Sequence, residues 1–241
     1  MPTEQSPTIQ RSQTLKIDLR NYWHCSGGRG LGPHLDAICI KNDLGLPFVP
    51  GKTVRGLLRH AVVYSLMLRG QPPNLTEWIF GTDGFVGGVA RSDTKPGRIR
   101  VDGAIVTESL SNALQKMRDA EAKSAADERR AINDVTGPLT TELFRVLRMT
   151  AIDEGGVARN RTLRSIEVAI PQVLTSTISL TDAAEDSDAV RVWHVLSQAA
   201  PLIRGIGAFK ARGLGRVSCT IDTTDNMAIA AGAGAINVKA A

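Results

Sequence analysis

Four glycines, Gly205, Gly207, Gly213 and Gly215, bracket a short stretch that carries Lys210 and Arg212 and no acid. Glycine reaches positive φ cheaply and lets a backbone approach a ligand closely. A turn of consecutive amides, strengthened by two cations, suits an anion such as a phosphate. A second phosphate-binding feature sits at Gly51-Lys52-Thr53, where a helix is expected to begin and its free N–H groups favour anions. This segment follows Gly45 with five residues between the glycines, whereas a nucleotide-binding P-loop has four, and Pro47 and Pro50 stiffen it. An NTPase loop is therefore excluded. A third basic group, Arg159, Arg161 and Arg164, lies in the acid-free run 155–166.

The net charge is only +5, but the distribution of charge is uneven. Residues 44–76, 155–166 and 189–221 contain no Asp or Glu, and the acids collect at 119–134 and 182–188. Three separated basic windows point to one face turned toward a polyanion, most simply a nucleic acid. Base-stacking readers of RNA display aromatics on a sheet. This chain has ten aromatics in 241 residues, and Trp78, Phe80 and Trp193 fall on apolar faces, so sequence-neutral phosphate gripping is the better expectation.

Hydrophobic content of 42% supports an ordinary packed core. The three cysteines lack CxxC spacing and read as free thiols of a cytoplasmic protein. No His/Cys cluster suggests a transition-metal site, and no apolar run is long enough to span a membrane.

The elements that would position these residues follow from periodicity. Leu15, Ile17 and Leu19 alternate as a half-buried strand. A glycine-rich loop, 22–34, then leads through Leu35-Asp36 to a short apolar strand, Ala37–Ile40. Val54, Leu57, Leu58, Ala61, Val62 and Leu66 mark one face of a helix. Arg98–Val106 and Val173–Leu180 read as strands. Asp188 is placed to cap a helix presenting Val192, Leu196 and Ala199. Ala151-Ile152 and Ile166–Ile170 are expected to pair beneath an arginine-rich hairpin. A final strand covers Leu214–Ile221.

Four blocks in this order resemble the RAMP superfamily of CRISPR-associated proteins, and most closely the repeated backbone subunit of type III effector complexes. They are the His24–Gly32 loop, Asp36 with the Pro-Gly-x-[ST]-x-[KR]-Gly-x-x-Arg run ending at Arg59, the Ile152–Glu167 segment, and the terminal glycine loop. The resemblance spans about residues 14–222. It implies an α+β fold: a modified RNA-recognition-motif (ferredoxin-like) core with an inserted thumb at 150–170, a lid-like insertion at about 84–134, and a tail at 223–241. It implies a guide RNA, a target RNA and other effector subunits as partners, in a stacked homo- or hetero-oligomer. Asp36 then matches the aspartate that supports target cleavage, with Mg²⁺ as a candidate ligand. His24, Lys52, Thr53, Arg55, Arg59, Arg159, Arg161, Arg164, Gly207, Lys210 and Arg212 are the expected RNA contacts. Two alternatives stay open: a catalytically silent scaffold, or a guide-maturing endoribonuclease with His24 and His34 as acid and base.

Overall fold

The computed structural model describes residues 10–28, 30–32, 35–82, 94–107, 112–113, 115–116, 140–182 and 184–221. Strand β1 (Ser12–Leu19) is central. Its alternation puts Leu15, Ile17 and Leu19 into the core, with Thr14 and Lys16 outward. Antiparallel partners flank it on both sides. It pairs with β6 (Gln172–Leu180), for example Ile17 with Leu174, and with β7 (Val217–Ile221), Ile17 opposite Cys219. Two short strands, β2 (Ile99–Val101) and β3 (Ile105–Val106), both pair with β6. The sheet order is therefore β2-β6-β1-β7.

Helix α1 (Gly51–Leu68) begins directly after Pro50, whose ring ends the preceding extended run. It buries Val54, Leu58, Ala61, Val62 and Leu66. A short α2 (Asn74–Phe80) follows, and α3 (Asp186–Ala199) buries Ala189, Val192, Trp193, Leu196 and Ala199. Helices α1 and α3 pack on each other, α1 reaching β2 and α3 reaching β7. The order β1-α1-β2-β6-α3-β7, with this strand arrangement, is the split βαβ pair of a ferredoxin-like α+β fold, as expected from sequence.

Between β3 and β6 the chain inserts a separate two-stranded sheet of β4 (Phe144–Met149) and β5 (Arg164–Ala169). Only Ile170 and Pro171 separate β5 from β6. At that joint Trp23 bridges Ala169, and its indole N–H donates to the Ile170 carbonyl at 3.1 Å.

Several expectations are corrected here. The hairpin starts earlier than residue 150, and Ile166 pairs with Leu147; Ile152 instead bridges Ala158 near the tip. Ala37–Ile40 forms isolated bridges, Ala37 to Ile166 and Cys39 to Ser26, in place of a strand. The Arg98–Val106 strand is broken around Asp102–Ala104, where Ala104 turns to pair with Val49. These strands belong to the sheet although they fall within the expected lid-like insertion. The acidic segment 117–134, residues 84–93 and the tail beyond 221 lie outside the described residues. Asp188 is not the cap of α3: it sits in the first turn, and its carboxylate accepts the Glu185 N–H at 3.1 Å. Among the described residues no helix is long and apolar enough to cross a membrane.

Candidate nucleic-acid interface

The glycine loop is stitched to the residues that leave β1. Ala208 N–H donates to the His24 carbonyl (2.8 Å), Gly215 N–H to Tyr22 (2.8 Å), and Ile206 N–H back to Gly215 (2.8 Å). Asn21 closes the set: its amide donates to the Gly213 carbonyl and its Oδ1 accepts the Arg216 N–H at 2.7 Å. Two glycines are obligatory. Gly207 (φ +85°) and Gly215 (φ +69°) lie in the left-handed region, and a Cβ would overlap the carbonyl oxygens of His24 and Ile206 respectively. Much of the loop's backbone is used internally: the amides of Ile206, Ala208 and 212–217 all donate within the protein, which leaves those of Phe209, Lys210 and Ala211 at the start of the turn for an anion. The turn is the 3₁₀ segment Lys210–Arg212, with both side chains in solvent. Phe209, also left-handed at φ +59°, lies beneath the Arg212 guanidinium, 5.6 Å from ring centre to Cζ.

This turn meets the tip-ward end of the β4–β5 ladder. Arg212 Nη1 reaches the Met149 sulfur at 3.9 Å, Met149 pairs with Arg164, and Arg148 pairs with Ser165. The Ser165 N–H donates to Asp36 Oδ2 at 2.7 Å, and the Asp36 N–H returns to the Ser165 carbonyl at 2.8 Å. Asp36, an exposed carboxylate, is thereby bonded to Ser165, the rung partner of Arg148 and the chain neighbour of Arg164, while Arg212 reaches Met149 on the next rung; alternation turns Arg148 and Arg164 to opposite faces of the hairpin, and all three cations are exposed. The second oxygen of Asp36 makes no bond to a described residue. Arg159 and Arg161 are exposed at the hairpin tip, which is shaped by Asp153 Oδ1 accepting the Gly155 (3.0 Å) and Val157 (2.9 Å) N–H groups.

Other expected contacts are placed differently. Lys52 is exposed and Thr53 half-buried in the first turn of α1, which has no acid and rests on the β2–β3 turn through Gly51. Arg55 and Arg59, on the same helix, are committed to structure. Arg55 donates to the Phe80 carbonyl and Arg59 to Gly81 (3.3 Å), so both cations serve the C-terminal end of α2. Burial, and then the adjacent Arg59, lower the Arg55 pKa. Both side chains are half-buried and have this bracing role in the structure. His24 is also reassigned. Its ring is enclosed, 1% exposed, and its Nδ1 lies 2.6 Å from the Glu167 carbonyl, which requires an Nδ1–H donor. Its side chain holds the loop rather than touching RNA. His34 lies outside the described residues.

Sequence reading missed Glu167 and Lys41. Glu167 Oε1 accepts from Lys41 Nζ at 2.9 Å, and Oε2 accepts the Cys39 N–H at 3.0 Å. Lys41 also lies over the Phe144 ring, 4.0 Å from its centre. The available signal was a lone acid inside the apolar run Ile166–Ile170, since a buried carboxylate requires partners. The thiols of Cys39 and Cys219 are buried, and burial pushes each up to about 12, with Glu167 adding to the rise at Cys39. Neither is a nucleophile at neutral pH.

Mg²⁺ takes oxygen ligands and needs near-octahedral geometry. The described residues gather no group of three or more His, Cys, Asp or Glu side chains, and Asp36 has one oxygen already engaged by Ser165. These residues do not by themselves build a Mg²⁺ site.

Two solved structures share the fold. One is a chain in the cryo-EM structure of type III-B Cmr-beta bound to cognate target RNA, at TM-score 0.57 and 11% identity, covering 92% of this chain and 100% of that one. The other is from type III-B Cmr-beta in the apo state, at TM-score 0.56 and 10% identity, covering 91% and 100%. No curated protein matches the sequence. The sequence matches the description "RAMP superfamily" over residues 16–218. That span runs from within β1 to within β7 and takes in the whole sheet, its inserted hairpin and the glycine loop. The chain belongs to the RAMP superfamily.

Proposed function

We propose that this chain is a guide-RNA-binding backbone subunit of a type III CRISPR effector, acting in the cytoplasm alongside further effector subunits, and that Asp36 supports cleavage of the paired target RNA. The carrying observation is the exposed Asp36 carboxylate bonded to Ser165, within two rungs of a hairpin end that carries Arg148 and Arg164 and that Arg212 reaches at Met149. The cations fit phosphate backbones, as does Lys52 at the start of α1, and the shared fold with a protein solved on target RNA is consistent with that ligand.

The chemistry follows from the geometry. A target phosphate held by the arginines places its 2′-hydroxyl near Asp36. The carboxylate takes the 2′-hydroxyl proton as the oxygen attacks phosphorus; the P–O5′ bond breaks and the leaving oxygen takes a proton from water. The products are a 2′,3′-cyclic phosphate and a 5′-hydroxyl end. The arginines offset the charge gathering on the phosphate. The enclosed His24 ring removes one of the two histidines that the guide-maturing alternative would use.

One observation favours the silent-scaffold reading: the bond from Ser165 N–H gives Asp36 a structural use of its own. The test is Asp36→Asn in the assembled complex, because the amide oxygen retains that bond while the charge is lost. Labelled target RNA should still bind, and its cleavage should fall by about 10²–10⁴-fold. Equal cleavage at equal binding rejects Asp36 as the base. Absence of cleavage by the wild type supports the scaffold.

A further inference from the structure

The arm of chain that follows Asp36, from Ala37 to Lys41, belongs to no strand; its Ile40 N–H donates to the Cys25 carbonyl at 2.8 Å, it bridges Ser26 and Pro47, and it is held against β5 at few points. Ala37 accepts the Glu167 N–H at 2.9 Å, and beyond it the side chain of Glu167 reaches across to the Cys39 N–H at 3.0 Å and Lys41 Nζ at 2.9 Å. The carboxylate is 9% exposed and so cannot be replaced by water without opening the arm. The loop before Asp36 is fixed independently. His24 Nδ1 bonds the Glu167 backbone carbonyl, and His24 offers its own carbonyl to Ala208, so neither contact uses the Glu167 side chain.

We infer that Glu167 is a positioning residue: its side chain clamps the Ala37–Lys41 arm on β5 and so sets where Asp36 stands, while the glycine loop and its RNA contacts do not depend on it. The functional consequence rests on the Asp36 reading above; the clamp itself does not. The division has a chemical basis. The Glu167 carbonyl serves His24 and its N–H holds Ala37, whereas its carboxylate serves only Cys39 and Lys41, so truncating the side chain removes the outer arm contacts and leaves those of the loop.

The experiment compares wild type, Glu167→Ala, Glu167→Gln and Asp36→Asn in the full chain assembled with guide RNA. It measures site-resolved amide hydrogen exchange, guide affinity and single-turnover cleavage of target RNA. With Glu167→Ala, exchange at residues 37–41 should rise at least about tenfold, while β1, α1 and α3 stay protected. Guide affinity should stay within about twofold and the cleavage rate should fall about tenfold or more, a geometric misplacement effect. Glu167→Gln keeps an oxygen for the Cys39 N–H and should restore most of both. Asp36→Asn should lose cleavage with no rise in exchange at 38–41. Unchanged exchange in Glu167→Ala overturns the inference. So does a rise that spreads through β1 and α1 together with loss of guide binding, which would mark Glu167 as a general core residue. If Asp36→Asn cleaves like the wild type, the Asp36 reading fails and exchange alone decides the clamp.

Discussion

Replacing Gly207 by alanine should damage the protein more than the same change at Gly213, although both residues have nearly equal φ, +85° and +83°. At Gly213 nothing lies within 4 Å of an added Cβ, so the cost is confined to left-handed backbone strain, about 1–2 kcal/mol. At Gly207 the methyl would overlap the His24 carbonyl, so the loop must withdraw and the Ala208–His24 hydrogen bond must open. Losing that bond and leaving its groups imperfectly satisfied adds about 1–3 kcal/mol. The sum is about 2–5 kcal/mol for Gly207→Ala. In a domain of this size each kcal/mol moves Tm by about 2–4 °C, so Gly213→Ala should lose several degrees and Gly207→Ala about twice as much. Urea titration gives the free energies, and filter binding of RNA gives the second readout. Because the loop carries Lys210 and Arg212, Gly207→Ala should also weaken RNA binding at temperatures where it remains folded. Equal stability losses for the two variants would refute the claim that close approach to His24 requires glycine.

Lys52→Ala and Lys210→Ala should each lower the salt slope of RNA binding by about one unit, with little sequence dependence, because each removes one phosphate contact; unchanged slopes in both place the RNA elsewhere. Arg55→Ala should leave that slope unchanged and instead cost about 1–3 kcal/mol, since the half-buried Phe80 carbonyl loses its charged donor; a slope change without destabilisation would return Arg55 to the interface. Burial pushes the Cys219 thiol from its ordinary value of 9.0 up to about 12, so its contribution is fully present below pH 9 and is lost as pH rises toward 12. Relative to Cys219→Ala, wild-type stability should therefore fall by about 1.4 kcal/mol per pH unit above pH 9. Denaturation curves for the two proteins that run parallel over this range would contradict it.

The sheet and its helices were legible because their signals are local. Alternation in Leu15-Ile17-Leu19 and helical spacing from Val54 to Leu66 each reflect one buried face. What escaped depends on partners distant in sequence. Arg55 and Arg59 look like solvent-facing cations on a helix, and their bracing role exists only because the end of α2 folds back beside them, 25 and 22 residues on. Ala37–Ile40 has the composition of a strand, yet its partners divide between Ser26 and Ile166, so no continuous ladder forms. The hairpin was found by its arginines and turn residues, but its register was misjudged because Leu147 and Ile152 are equally plausible apolar partners for Ile166. The glycine loop was recognised as a unit, whereas the use of its amides became visible only once Asn21, Tyr22 and His24 were seen beside it.

The two-residue joint between β5 and β6 has a mechanical consequence. Beyond this joint β5 is held again by Asp36 at Ser165 and by Ala37 at Glu167, and β4 is reached by Arg212 at Met149, so only the segment 150–163 projects past the last restraint. The inboard side of the joint is stiff, since β6 is paired along both edges, with β1 on one and β2 and β3 on the other. Pro171 has no N–H to contribute to a ladder, and the Trp23 indole together with the Trp23–Ala169 bridge closes the joint instead. A load from RNA at the tip therefore passes into the Asp36 segment and the glycine loop before it reaches the joint.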